Sequence, residues 1–175
     1  ILVFAQKQEL ISRKYTYNTL SPYQKSLLEE VIALDFPKGS KLSVTLSDRA
    51  SIRNITRLAE ALLFRNGNGD KENAITILKW LLKYQYQDEK SSHYGMWQTN
   101  ATNDRLDQNW REFIGCDLII IYHYYKNTLP KEVVEAIEYG LVHAAKGAMK
   151  RDVTPYYSNI SIMSAFLMEY VGTRF

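Results

Sequence analysis

One cysteine, Cys116, stands in a chain of 175 residues. Its solitude excludes an internal disulfide framework and any multi-cysteine metal site. Placed in an apolar helical stretch, it reads as an inert core thiol rather than a nucleophile. Turn formers are scarce too, with 8 Gly and 4 Pro, too few for an all-β chain built from many tight turns. Charge of either sign is not in excess, because 22 Lys+Arg face 19 Asp+Glu for a formal net charge of +3, so no nucleic-acid footprint is expected. No run approaches the roughly 18–20 consecutive apolar residues of a membrane span. Histidine pairs at ligand spacing, a Gly-rich phosphate loop and a serine nucleophile elbow are all missing, and no metal or cofactor is expected.

Against these absences, aromatic residues make up 13% of the chain, with 13 Tyr among them. Tyrosine offers a flat apolar face and a hydroxyl that seeks a partner, which suits large helical cores and sugar-binding clefts. The first residues, Ile1-Leu2-Val3-Phe4-Ala5, fit the end of a signal-peptide apolar region, with small residues before a cleavage site. Export to the periplasm or the outside is therefore expected, and residues 1–20 read as a tail preceding one domain over 21–175.

Helical periodicity dominates from Ser21 onward. A first helix begins at Ser21-Pro22 and ends before Pro37, and a second begins near Ser47 or Asp48 and stops at Asn66-Gly67-Asn68-Gly69. A third runs from Asp70 to about Tyr86, followed by a polar loop to Asp107 that is long enough to be functional. The fourth, Gln108 to about Asn127, is apolar nearly all round and needs cover on most sides. The fifth follows Leu129-Pro130 with one apolar stripe, and the sixth runs from Ser158 to Val171, apolar nearly all round and closing at Gly172. Short connections alternate with long ones. In an antiparallel series, alternate loops lie at the same end, so all the long connections share one rim. The expected fold is all-α, antiparallel helical hairpins arranged as part of an (α/α) toroid, with about three hairpins.

The segments Tyr94-Gly95-Met96-Trp97, Asp107-Gln108-Asn109-Trp110-Arg111-Glu112-Phe113-Ile114-Gly115 and Tyr156-Tyr157-Ser158-Asn159-Ile160 resemble hairpins of the six-hairpin glycosidase-like superfamily. That superfamily comprises (α/α) toroids of many glycosidases and the helical domains of polysaccharide lyases. The Asn-Trp element is similar to one in the toroidal domain of glycosaminoglycan lyases. The resemblance spans roughly Ser21 to Gly172 and is sharp only in those segments. It implies a carbohydrate-active protein with its cleft at the long-loop rim, a polysaccharide or oligosaccharide as partner, and glycoside hydrolysis as the leading activity. Uronic-acid elimination and non-catalytic binding of glycan or protein are the alternatives.

On that rim, Tyr94, Trp97, Trp110, Tyr156 and Tyr157 offer faces for sugar rings, and Asn109, Arg111 and Asn159 offer hydrogen bonds. The plainer readings are that Trp110 is core and that the Asn residues cap helices. Hydrolysis needs two carboxyl groups across the scissile bond, for which Asp104, Asp107, Glu112 and Asp117 are candidates. Asp107 suits a base or an N-cap; Asp117, facing the interior, suits a general acid or an ion-pair partner. Elimination would draw on His93, Tyr94, Tyr156 or Tyr157 with Asn109 and Arg111. His123 and His143, further along helices, read as structural. Six helices make half of a six-hairpin toroid, so a further domain or a second copy is expected to complete the layer.

Overall fold

In the computed structural model, which describes residues 15–102 and 106–175, two of the helices begin at serines whose side chains cap them. The first, α1 (Pro22–Asp35), starts with Pro22 behind Ser21, whose hydroxyl accepts from the Gln24 amide while Gln24 Oε1 accepts from the Ser21 amide. A single turn, α2 (Leu42–Thr45), precedes α3 (Ile52–Arg65), which is capped by Ser51. The chain reverses through Asn66, held left-handed at φ 53°, into α4 (Asp70–Leu81). After a long connection come α5 (Trp110–Tyr125), α6 (Lys131–Met149) behind Pro130, and α7 (Ser158–Arg174).

These elements confirm the all-α hairpin expectation. Helices α3 with α4 and α5 with α6 form antiparallel pairs joined by a few residues. Helix α3 also packs on α1 and α5, α5 packs on α7, and α4 reaches α6, so α1, α3, α5 and α7 form one row with α4 and α6 behind it. Leu62, Ile77, Leu81, Ile114, Leu118 and Leu141 are fully buried between the rows, each contributing roughly 1.5–3 kcal/mol by removal from water. Helix α5 is covered on most sides, as its composition requires. The ends of the row are not: α1 leaves Tyr23, Val31 and Leu34 exposed, and α7 leaves Ile162.

Three boundaries differ from expectation. Helix α4 stops at Leu81 and tightens into a 3-10 turn, Leu82–Tyr84, because Gln85 must turn extended to pair with Trp97. Helix α3 begins at Ile52 rather than near Ser47, since its first amide is taken by Thr99 O at 3.0 Å. Helix α7 runs through Gly172 to Arg174, so that glycine is an interior helical residue and not a cap. The proposed leader at 1–5 and most of the expected tail lie outside the described residues.

Candidate functional site at the long-connection rim

Connections 36–51, 82–109 and 150–157 meet at one rim, as loop alternation requires. Thr102 N donates to Asp48 O at 3.3 Å, tying the second connection to the first. Arg151 Nη1 donates to Gln108 O at 3.0 Å, tying the third to the second. Within the long connection the chain doubles back, with Tyr86 N donating to Met96 O and Gly95 N to Tyr86 O, both at 2.8 Å. Gln85 Nε2 then donates to Gly140 O of α6 at 2.8 Å and to Gly95 O at 3.1 Å.

Two glycines let this loop sit directly on α6. A Cβ at Gly95, whose φ is +75°, would lie 2.2 Å from His143 O, and one at Gly147 would lie 2.1 Å from Tyr94 O. No other residue permits that approach. Arg111 Nη2 donates to Tyr94 O at 2.8 Å and completes the seam.

An ionic cluster lies beneath. The Arg111 side chain is 4% exposed and the Glu112 side chain 0%, with Arg111 Nη1 3.9 Å from Glu112 Oε1. Glu112 Oε2 also accepts from Arg151 Nη1 at 3.2 Å. One buried carboxylate thus serves two guanidinium groups. Burial pushes Glu112 above the usual carboxylate range against the pull of both arginines, and burial lowers Arg111 despite Glu112. Arg151 Nη2 donates to Asn109 Oδ1 at 2.8 Å, and Asn109 Nδ2 donates to Tyr157 OH at 3.0 Å. Asn109 occupies the N-cap position of α5 without capping it, and instead links the two ends of the 150–157 connection, Arg151 and Tyr157.

Beside the cluster, Tyr94 OH donates to Glu89 Oε1 at 3.1 Å and lies 2.7 Å from His143 Nδ1. Lys146 pairs with Glu89 at 3.7 Å, and Lys150 Nζ sits 4.6 Å from the Tyr94 ring centroid. Burial, reinforced by Glu89, pushes the Tyr94 phenol up to about 12. Burial and the Lys146 charge hold His143 below the usual imidazole value, against Glu89. The phenol therefore keeps its proton and the imidazole is neutral near pH 7. Glu89, Tyr94, Arg111, Gly147, Lys150 and Arg151 are among the walls of an open pocket of about 470 Å³.

Tyr94, Asn109, Arg111 and Tyr157 are thus brought to one rim, together with His143, a residue that sequence reasoning set aside as structural. Its four-residue spacing from Gly147 on the seam face of α6 was the available signal. Trp97 and Trp110 are buried, so they pack the loop and α5 rather than present faces to a ligand. Asp107 accepts from the Asn109 amide at 2.9 Å and from Trp110 Nε1 at 3.1 Å, holding the turn into α5. Asp117 lies two turns into α5, 3.6 Å from Arg57 Nε, and burial raises it to about 6 against the charges of Arg57 and Arg53. His93 is half-buried beside Tyr86 with Ser92 Oγ at 3.4 Å. Tyr156 is 100% exposed, and Asn159 is exposed in the first turn of α7. Asp104 lies outside the described residues. Cys116 is buried, its thiol raised to about 12 by desolvation.

Among the described residues no group of three His, Cys, Asp or Glu is placed to hold a metal ion, and no helix is long and apolar enough to cross a membrane. Fold and rim together define an all-α helical-hairpin domain with a buried ionic cluster under one set of connections. Residues 40–175 match the model of a family described as a domain of unknown function (DUF8769), and the chain belongs to that family. No curated protein and no solved structure matches the chain.

Proposed function

We propose that the domain is an exported carbohydrate-active protein, related to the (α/α) toroids, that acts on a polysaccharide by elimination at this rim. The supporting observation is the Tyr94–His143 pair, a protonated phenol 2.7 Å from a neutral imidazole, in which Tyr94 is one of the walls of an open pocket and His143 is buried against it. Elimination from a uronic-acid unit moves the proton beside the carboxylate to a base. The electron pair left behind forms the carbon–carbon double bond, the glycosidic carbon–oxygen bond breaks, and an acid protonates the departing oxygen. His143 suits the base and Tyr94 the acid. The hydrolytic alternative needs two carboxyl groups facing across a groove, whereas Asp107 holds a turn and Asp117 pairs with Arg57.

The test is a panel of neutral and uronic-acid polysaccharides, followed both by reducing ends and by absorbance of the unsaturated product. Both signals are expected on uronic-acid substrates, with losses of about 10²–10⁴-fold for His143→Ala and Tyr94→Phe. Reducing ends without the absorbance would make the protein a hydrolase. Silence in both, with retained glycan binding, would make it a binding module.

A further inference from the structure

The pocket over the ionic cluster carries more positive charge than its own carboxylates answer. Lys90, Arg111, Lys150 and Arg151 line it against Glu89. Glu89 is engaged by Lys146 and by the Tyr94 hydroxyl, and Glu112 beneath is shared between Arg111 and Arg151. Arg111 is 3% exposed, and its Nε and Nη1 have no hydrogen-bond partner. Nε faces the Cα of Gly147, where an added Cβ would come within 2.9 Å. Nη1 is a buried charged donor that makes no hydrogen bond, the nearest carboxylate oxygen, Glu112 Oε1, lying 3.9 Å away. Groups in that situation are normally matched by a partner. Ser91 and Ser92 line the same wall and add neutral hydroxyl donors.

We infer that this pocket binds an oxyanion group, a carboxylate, sulfate or phosphate ester, between Lys150, Arg151 and Arg111. That the anion is a substituent of a sugar rests on the function proposed above; that the pocket takes an anion does not. Titration calorimetry on the full chain separates the two, using inorganic phosphate, inorganic sulfate, an oligogalacturonate and its fully methyl-esterified, uncharged form. The inorganic anions are expected to bind, and the oligogalacturonate to bind at least about tenfold more tightly than its ester. Lys150→Glu is expected to weaken anion binding about tenfold or more, and Arg111→Met to remove it. Lys150 is exposed, so its variant decides the matter even if Arg111→Met does not fold. Anion binding unchanged in Lys150→Glu, or no binding of either inorganic anion or of the oligogalacturonate, would overturn the pocket while leaving any turnover of neutral glycans intact. Binding of the inorganic anions with no glycan bound or cleaved would keep the pocket and remove the polysaccharide reading.

Discussion

At the short-turn rim, α3 passes to α4 through four residues whose geometry is local. Asn66 takes the left-handed conformation, and Asp70 accepts two hydrogen bonds from Arg65 and one from the Gly67 amide, all within 2.8 Å. At the opposite rim local turns such as the one held by Asp107 are joined by contacts between distant parts of the chain. Gln85 reaches Gly140, Arg111 reaches Tyr94, and Arg151 reaches Asn109 across 42 positions of sequence. The first rim is held mainly within one turn around a buried Asp70, with a single longer reach from Arg65 to Glu29 at 2.6 Å; the second is held by buried polar groups from distant parts of the chain. A site that must place charges within a low-dielectric pocket needs the second kind of order, because an unmatched buried charge there is costly.

Substitutions can break this contrast. The largest effect is expected for Glu112→Ala, which leaves two guanidinium groups without their shared carboxylate and should cost about 3–5 kcal/mol in denaturant unfolding. Gly95→Ala, forcing a Cβ toward His143 O at positive φ, should cost about 3 kcal/mol. Gly172→Ala, whose Cβ meets nothing within 4 Å, should instead stabilise by about 0.5–1 kcal/mol. Below the rim, burial raises Asp117 to about 6, above the roughly 3.9 of an unfolded chain. The folded state therefore binds that proton more tightly, and this residue's contribution to stability falls as pH rises from about 4 through 6. Asp117→Asn should remove that slope, an effect on the order of 2 kcal/mol seen by comparing unfolding at pH 4 and pH 7. At the other rim Asn66→Ala should cost only about 1 kcal/mol, and Asn66→Gly close to nothing.

The same division explains what could be read in advance. Ser21-Pro22, Asn66-Gly67 and Leu129-Pro130 announce themselves because the physics that uses them acts within a few residues, and the core stripes follow from helical period. The resemblance and loop alternation together place Tyr94, Asn109, Arg111 and Tyr157 on one rim. Their partners were not legible, because nothing near Tyr94 in sequence points to His143, nor near Glu112 to Arg151. Trp97 was misjudged for a related reason. A tryptophan in a polar loop looks available until the loop folds back and buries it through the Gln85 pairing.

The two glycine seams, Gly95 against His143 O and Gly147 against Tyr94 O, carry a consequence for the order of folding. Backbone can seat on backbone only after α6 exists as a surface, so the 85–98 segment should close late, as part of the α6 unit. In native-state amide exchange, the Tyr86 and Gly95 amides should then open together with the middle of α6, at a free energy near that of the helix rather than near zero as in a frayed surface loop. A pocket whose wall opens only when a helix does would remain assembled whether or not a ligand is present.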